Sequence, residues 1–199
     1  SGSLVGNNAS TSTDNSVTFD NVAPTVTINQ AAGQADPTNA SPIEFSVVFS
    51  QAVTDFATGD VSLSGTAGAT TATVSGSGTT YTVAVSGMTG NGTVIATIAA
   101  GVAHDALGNP NSASTSTDNT VTYDTLGPTV TINQAAGQSD PASTEPIFFT
   151  VVFSEVVTDF ATGDVGLSGS AGATTATVSG SGTTYNVAVS GMTGSGTVV

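Results

Sequence analysis

The 199 residues contain no cysteine, no tryptophan, no lysine and no arginine, and one histidine, His104. Without cysteine there are no disulfides, no thiolate metal sites and no cysteine nucleophile. Without lysine or arginine there is no basic surface for phosphate, so nucleic acid is excluded as a partner. Anionic membrane surfaces are disfavoured for the same reason. A phosphate-binding P-loop is also excluded, because it needs its lysine. No run of about 18 apolar residues exists, so no helix inserts into a membrane in this segment. The opening residues SGSLVGNN lack the basic and apolar regions of a signal peptide, so any export signal is expected to lie elsewhere.

What remains is acidic and small. Fourteen acids against no bases give a net charge of −14. These carboxylates must be solvated, held apart or neutralised by cations. Hydrophobic residues make up 38% of the chain, mostly Val, Ala and Ile, which is enough for a core. With abundant Ser, Thr and Gly around them, this is strand chemistry rather than helix chemistry.

The sequence repeats. The stretch 24-PTVTINQAAGQADP-37 returns as 128-PTVTINQAAGQSDP-141, an offset of 104 from residue 24 to residue 128. The same offset maps 54-TDFATGDVSLSG-65 onto 158-TDFATGDVGLSG-169, and 10-STSTDNSVTFD-20 onto 114-STSTDNTVTYD-124. Three pieces follow. Residues 1–20 read as the C-terminal strand of a preceding repeat, 21–124 as a complete domain, and 125–199 as a domain without its last strands. The expectation is a slice of a longer tandem array, with neighbouring repeats as its partners. A repeat of this length suits an autonomous domain better than a solenoid unit.

Within one repeat, period-2 alternation marks strands. In 43-IEFSVVF-49, Ile43, Phe45, Val47 and Phe49 share one face, as do Tyr81, Val83 and Val85 in 79-TTYTVAV-85. Further strands are expected at 25–30, 60–64, 69–75, 92–99 and 113–123. Turn residues separate them, including 76-GSG-78 as a hairpin turn. No segment has a helical period. Seven short strands in about 100 residues predict an all-β protein of tandem immunoglobulin-like seven-strand β-sandwiches, lacking the Cys–Trp–Cys core of antibody domains.

Four stretches carry a resemblance: 128-PTVTI-132, 153-FSEVVTDF-160, 163-GDVGLSG-169 and, most specific, 101-GVAHDALGNPNSASTSTDNTVTYD-124. In these the chain resembles bacterial Ig-like domains that occur in tandem in large surface proteins and adhesins. The resemblance covers essentially the whole sequence. It implies an extracellular, cell-surface location and a stalk built from many such domains, and it says little about an adhesive ligand. Gln51 departs from the pattern, standing where the second repeat has Glu155.

A seven-strand sandwich assigns the acids to poles. In the complete repeat, the loop with Asp55 and Asp60 and the loop with Asp105 and Asn109 fall at the entry pole, beside Asp20 of the incoming linker. The loop with Asp36 falls at the far pole with Asp124, facing the next repeat's Glu155, Asp159 and Asp164. Clustered carboxylates repel unless a cation enters, and Ca2+, which takes 6–8 oxygen ligands in flexible geometry, fits best. Junction Ca2+ is one expectation. The other is that Asp in these Gly- and Pro-rich stretches caps turns through backbone N–H groups. Asp14 and Asp118, placed inside the last strand, read as surface residues.

Catalysis finds little support. A hydrolase needs a nucleophile with a base, and His104 beside Asp105 reads as a turn residue. Paired carboxylates for glycoside cleavage suit repeated turns less well than structure does. The sequons at Asn8, Asn39 and Asn91 read as chance matches. The leading function is a non-catalytic structural spacer. The alternative is a self-assembling filament subunit, in which residues 9–20 complete the 125–199 sandwich of a neighbouring molecule by strand addition. A carbohydrate- or ice-binding module lacks the exposed aromatic cluster it would need.

Overall fold

The computed structural model describes residues 13–199. The residues divide into two compact units, one ending at Thr125 and one spanning Leu126–Val199. The first four residues of the last-strand copy expected at 9–20, and the sequon at Asn8, lie outside the described residues.

Unit 1 is the sandwich that the alternation predicts. Strands β1 (Val26–Gln30), β2 (Ile43–Val53) and β4 (Thr71–Ser86) form one antiparallel sheet, in the order β1-β2-β4. Strands β3 (Val61–Ser64), β5 (Gly92–Ile98) and β6 (Thr120–Tyr123) form the other, in the order β3-β5-β6. The pairs Val26↔Phe49 and Ile28↔Val47, with Phe45↔Val83 and Val47↔Tyr81, bring the apolar positions onto one face. A one-residue slip would send them all to solvent. Between the sheets Ile28, Ile43, Phe45, Val47, Val94 and Val121 are fully buried.

Two strand expectations are refined. The stretches 69–75 and 79–85 are the two arms of β4, which doubles back on itself. Thr70 N–H donates to Ser86 O, and Gly76 lies against Thr80 and Tyr81, so the turn is at 76-GSG-78, where Gly76 and Gly78 have positive φ. The expected strand 113–123 is split between the sheets. Residues 112–118 run parallel to β1, with Thr27 opposite Thr115, before the chain crosses to pair β6 with β5. Ser112 N–H donates to Pro24 O, Thr115 N–H to Val26 O, Ile28 N–H to Thr115 O and Gln30 N–H to Asp118 O. Asn29 Oδ1 secures this run by accepting from Thr117 N–H and Asp118 N–H. Asp118 is therefore outside β6, though exposed as expected.

Unit 2 repeats the first sheet as β7 (Val130–Gln134), β8 (Ile147–Val157) and β9 (Thr175–Ser190), in the same order and register. Residues 168 and 199 exchange backbone hydrogen bonds, the beginning of the second sheet. In both units three aromatic rings meet edge-on. Phe49, Phe56 and Tyr81 have centroids 5.1–5.9 Å apart, and Phe153, Phe160 and Tyr185 have 5.2–5.9 Å. Each such pair adds about 0.5–1.5 kcal/mol beyond its buried area. Gly65 has a forced identity: at φ +104° a Cβ would sit 2.1 Å from Thr93 O.

Candidate functional site

The richest set of polar side chains is at the entry pole of unit 1, where the loop after β2 meets the loop after β5. Val53, the last residue of β2, forms a bridge with Asp105, and Thr54 N–H donates to His104 O at 3.0 Å. This alignment puts Asp55 beside His104. One carboxylate oxygen accepts His104 N–H at 2.6 Å, and the other lies 2.8 Å from His104 Nδ1. These hydrogen bonds, the backbone one foremost, hold the Asp55 carboxyl below its ordinary value.

Asp105, one residue on, is buried. Its carboxylate accepts Leu107 N–H at 2.8 Å, Asn109 N–H at 2.9 Å and the Asn109 side-chain amide at 2.8 Å. The Asn109 amide, followed by its backbone and that of Leu107, depresses the Asp105 pKa. The same Asn109 amide donates to Asp20 O at 3.3 Å, which ties the incoming linker to the loop. Asp20 turns its own carboxylate onto Val22 N–H at 2.9 Å. Beneath the pole, Tyr81 hydroxyl donates to Val53 O at 3.2 Å, and burial raises its pKa, so the donor is kept.

Several of the other acids are also hydrogen-bonded. Asp60 accepts Ala57 N–H at 2.7 Å, and its counterpart Asp164 accepts Ala161 N–H at 2.8 Å. At the far pole Asp36 accepts Thr122 N–H at 2.9 Å, and Asp124 accepts the Asn91 amide. Glu155 and Asp159 are exposed in unit 2.

Asp20, Asp55, Asp105 and Asn109 thus share the entry pole, and Asp36 shares the far pole with Asp124. Among the described residues no three acidic or histidine side chains stand close enough together to hold a metal ion. Asp55 and Asp105 use both carboxylate oxygens on N–H donors or a ring nitrogen. The pair Asp55–His104 has the orienting half of a hydrolytic triad, but no serine hydroxyl is hydrogen-bonded to His104 among the described residues.

Asn111 is a residue that the sequence pattern did not single out. It is 3% exposed. Its Oδ1 accepts Val102 and Ala103 N–H, each at 2.9 Å, and its Nδ2 donates to Ala99 O at 2.9 Å and Ser112 O at 2.7 Å. An Asn two residues after Asn109, between a proline and a serine, reads as one more turn residue. Only the fold reveals that it is enclosed.

A family model described as a bacterial Ig-like domain matches residues 20–123. No curated protein matches the chain.

Proposed function

The chain belongs to the bacterial Ig-like domain family, and from that premise we propose that it works as a non-catalytic spacer in a stalk on the bacterial cell surface. The carrying observation is the placement of the two ends of unit 1. The linker at Asp20 is tied to the entry pole through Asn109, while Asp124 N–H donates to Thr38 O in the far-pole loop. Such a domain passes the chain from one end to the other, and the 104-residue repeat supplies further domains in series. Family membership supports a structural role in an extracellular protein. X-ray scattering of chains with two, three and four copies of the repeat tests the reading: the maximum dimension should grow by a constant increment per copy. Growth as a compact globule would reject it.

Ca2+ as a stiffener of the array is a separate proposal, carried by composition alone: 14 acids face no lysine or arginine.

A further inference from the structure

One side chain grips the linker as it leaves unit 1. Asn91 lies exposed in the bend just before β5. Its Oδ1 accepts Thr125 N–H at 3.2 Å and the Thr125 hydroxyl at 2.9 Å, and its Nδ2 donates to an Asp124 carboxylate oxygen. The amide thus works from both ends, as acceptor for one linker residue and as donor to the other. Neither a carboxylate nor a serine hydroxyl reproduces that pairing.

Asn91 is followed by glycine, and no other asparagine of the chain is. The fold demands that glycine. At φ +148° a Cβ on Gly92 would sit 2.2 Å from Thr66 Oγ1 and 2.8 Å from Thr66 C. Gly196 in the second repeat meets the same obstacle, with Ser170 Oγ 2.3 Å from its Cβ position, but Ser195 precedes it. The Asn–Gly pair therefore belongs to the joint after unit 1. Asparagine is a chemically labile side chain, and a glycine next to it leaves the backbone nitrogen open to close approach.

We propose that Asn91 is a deamidation site, and that its conversion releases the linker for good. While the linker is held, the amide is held with it, and the reaction is slow. When the contacts to Asp124 and Thr125 open, the side chain turns back on its own backbone. The Gly92 nitrogen attacks Asn91 Cγ, the Cγ–Nδ2 bond breaks, and ammonia leaves with the Gly92 amide proton. The product is a cyclic succinimide. Water opens it at either carbonyl, giving aspartate or isoaspartate at position 91. The new carboxylate has no N–H for Asp124 and meets it charge to charge, with no lysine or arginine in the chain to come between. Isoaspartate also lengthens the main chain by a methylene directly ahead of the pair Gly92↔Tyr123. A transient opening is thereby made permanent. The inference goes beyond the spacer reading and stands without it.

The test uses the full chain, incubated at neutral pH and mapped by chymotryptic digestion and mass spectrometry. Asn91 should lose its amide severalfold faster than Asn39, which is also exposed but is followed by alanine, and isoaspartate should be among the products. Thr125→Ala removes one hydroxyl from the grip and should raise the Asn91 rate severalfold. Asn91→Asp stands in for the product. Amide exchange at Thr125, read by NMR, reports local opening and should be severalfold faster in this variant than in the parent. Added salt should slow it again by screening the facing carboxylates, whereas Asn91→Ser, the residue of the second repeat, should show no such salt dependence. An Asn91 that keeps its amide as long as Asn39 would overturn the proposal, and so would an unchanged rate in Thr125→Ala. Thr125 exchange in Asn91→Asp that matches the parent, or that ignores salt, would overturn the release of the linker.

Discussion

Asn111 and Ala103 grip each other twice: Asn111 N–H donates to Ala103 O at 2.8 Å, and Asn111 Oδ1 accepts Ala103 N–H at 2.9 Å. With Val102, Ala99 and Ser112 also on its side chain, this one amide organises the loop that shapes the entry pole. Asn111→Ala leaves two N–H groups, that of Ala103 buried, and two C=O groups without their partner, a loss of about 3 kcal/mol. Chemical denaturation should show the midpoint fall. Asn111→Asp should not rescue it, because a carboxylate offers no donor to Ala99 O and Ser112 O.

The two repeats provide an internal control. Ile28→Ala should cost about 3 kcal/mol as a buried truncation, whereas Ile132→Ala, at a position 54% exposed, should stay within about 0.5 kcal/mol. Hydrogen exchange resolved by peptide reads each unit separately. Equal losses at the two positions would contradict the difference in burial.

Acid should unfold unit 1 through Asp55 and Asp105. Both carboxyls are held below the ordinary value of 3.8. A group depressed in the folded state stabilises the fold above its unfolded value and loses that contribution as pH falls through the folded one. The loss therefore sets in below about pH 3.8 and is complete below the lowered folded values. Thermal melts of Asp55→Asn and Asp105→Asn should lie below the parent at pH 7 and converge with it in acid. Relief of repulsion among the 14 acids acts in the opposite sense, but equally in parent and variants, so the difference between them isolates the two carboxyls.

The calcium proposal predicts a melting temperature higher in millimolar Ca2+ than in chelator, with Mg2+ a weaker substitute because it demands stricter octahedral geometry. Coincident curves would end it. A rise that persists in Asp55→Asn would fit the saturated hydrogen bonding of that carboxylate and locate the effect elsewhere.

The strands were readable because the alternation of Ile43, Phe45, Val47 and Phe49, and of Tyr81, Val83 and Val85, is a direct imprint of a sheet with one buried face. The sandwich class followed from seven such segments and their turns. The division of 112–123 between two sheets was not readable, since its Ser- and Thr-rich half has no apolar stripe to declare a partner; Asn29 on a distant strand holds it. The entry-pole grouping of Asp20, Asp55 and Asp105 could be anticipated from loop placement. The fate of their carboxylates could not, because hydrogen bonds to His104 and Asn109 depend on loop conformations that composition does not encode.

The parallel run beside β1 has a mechanical consequence. A stalk domain under tension is pulled at Asp20 toward one pole and at Asp124 toward the other. β1 and residues 112–118 point the same way, so the pull slides them in opposite directions. The four hydrogen bonds that join them at Pro24, Val26, Ile28 and Gln30 then bear load together, in shear. They cannot be peeled apart one by one, as the rungs of a hairpin opened from its free ends would be. The junction most exposed to pulling is thus the one whose rupture requires several bonds to fail at once.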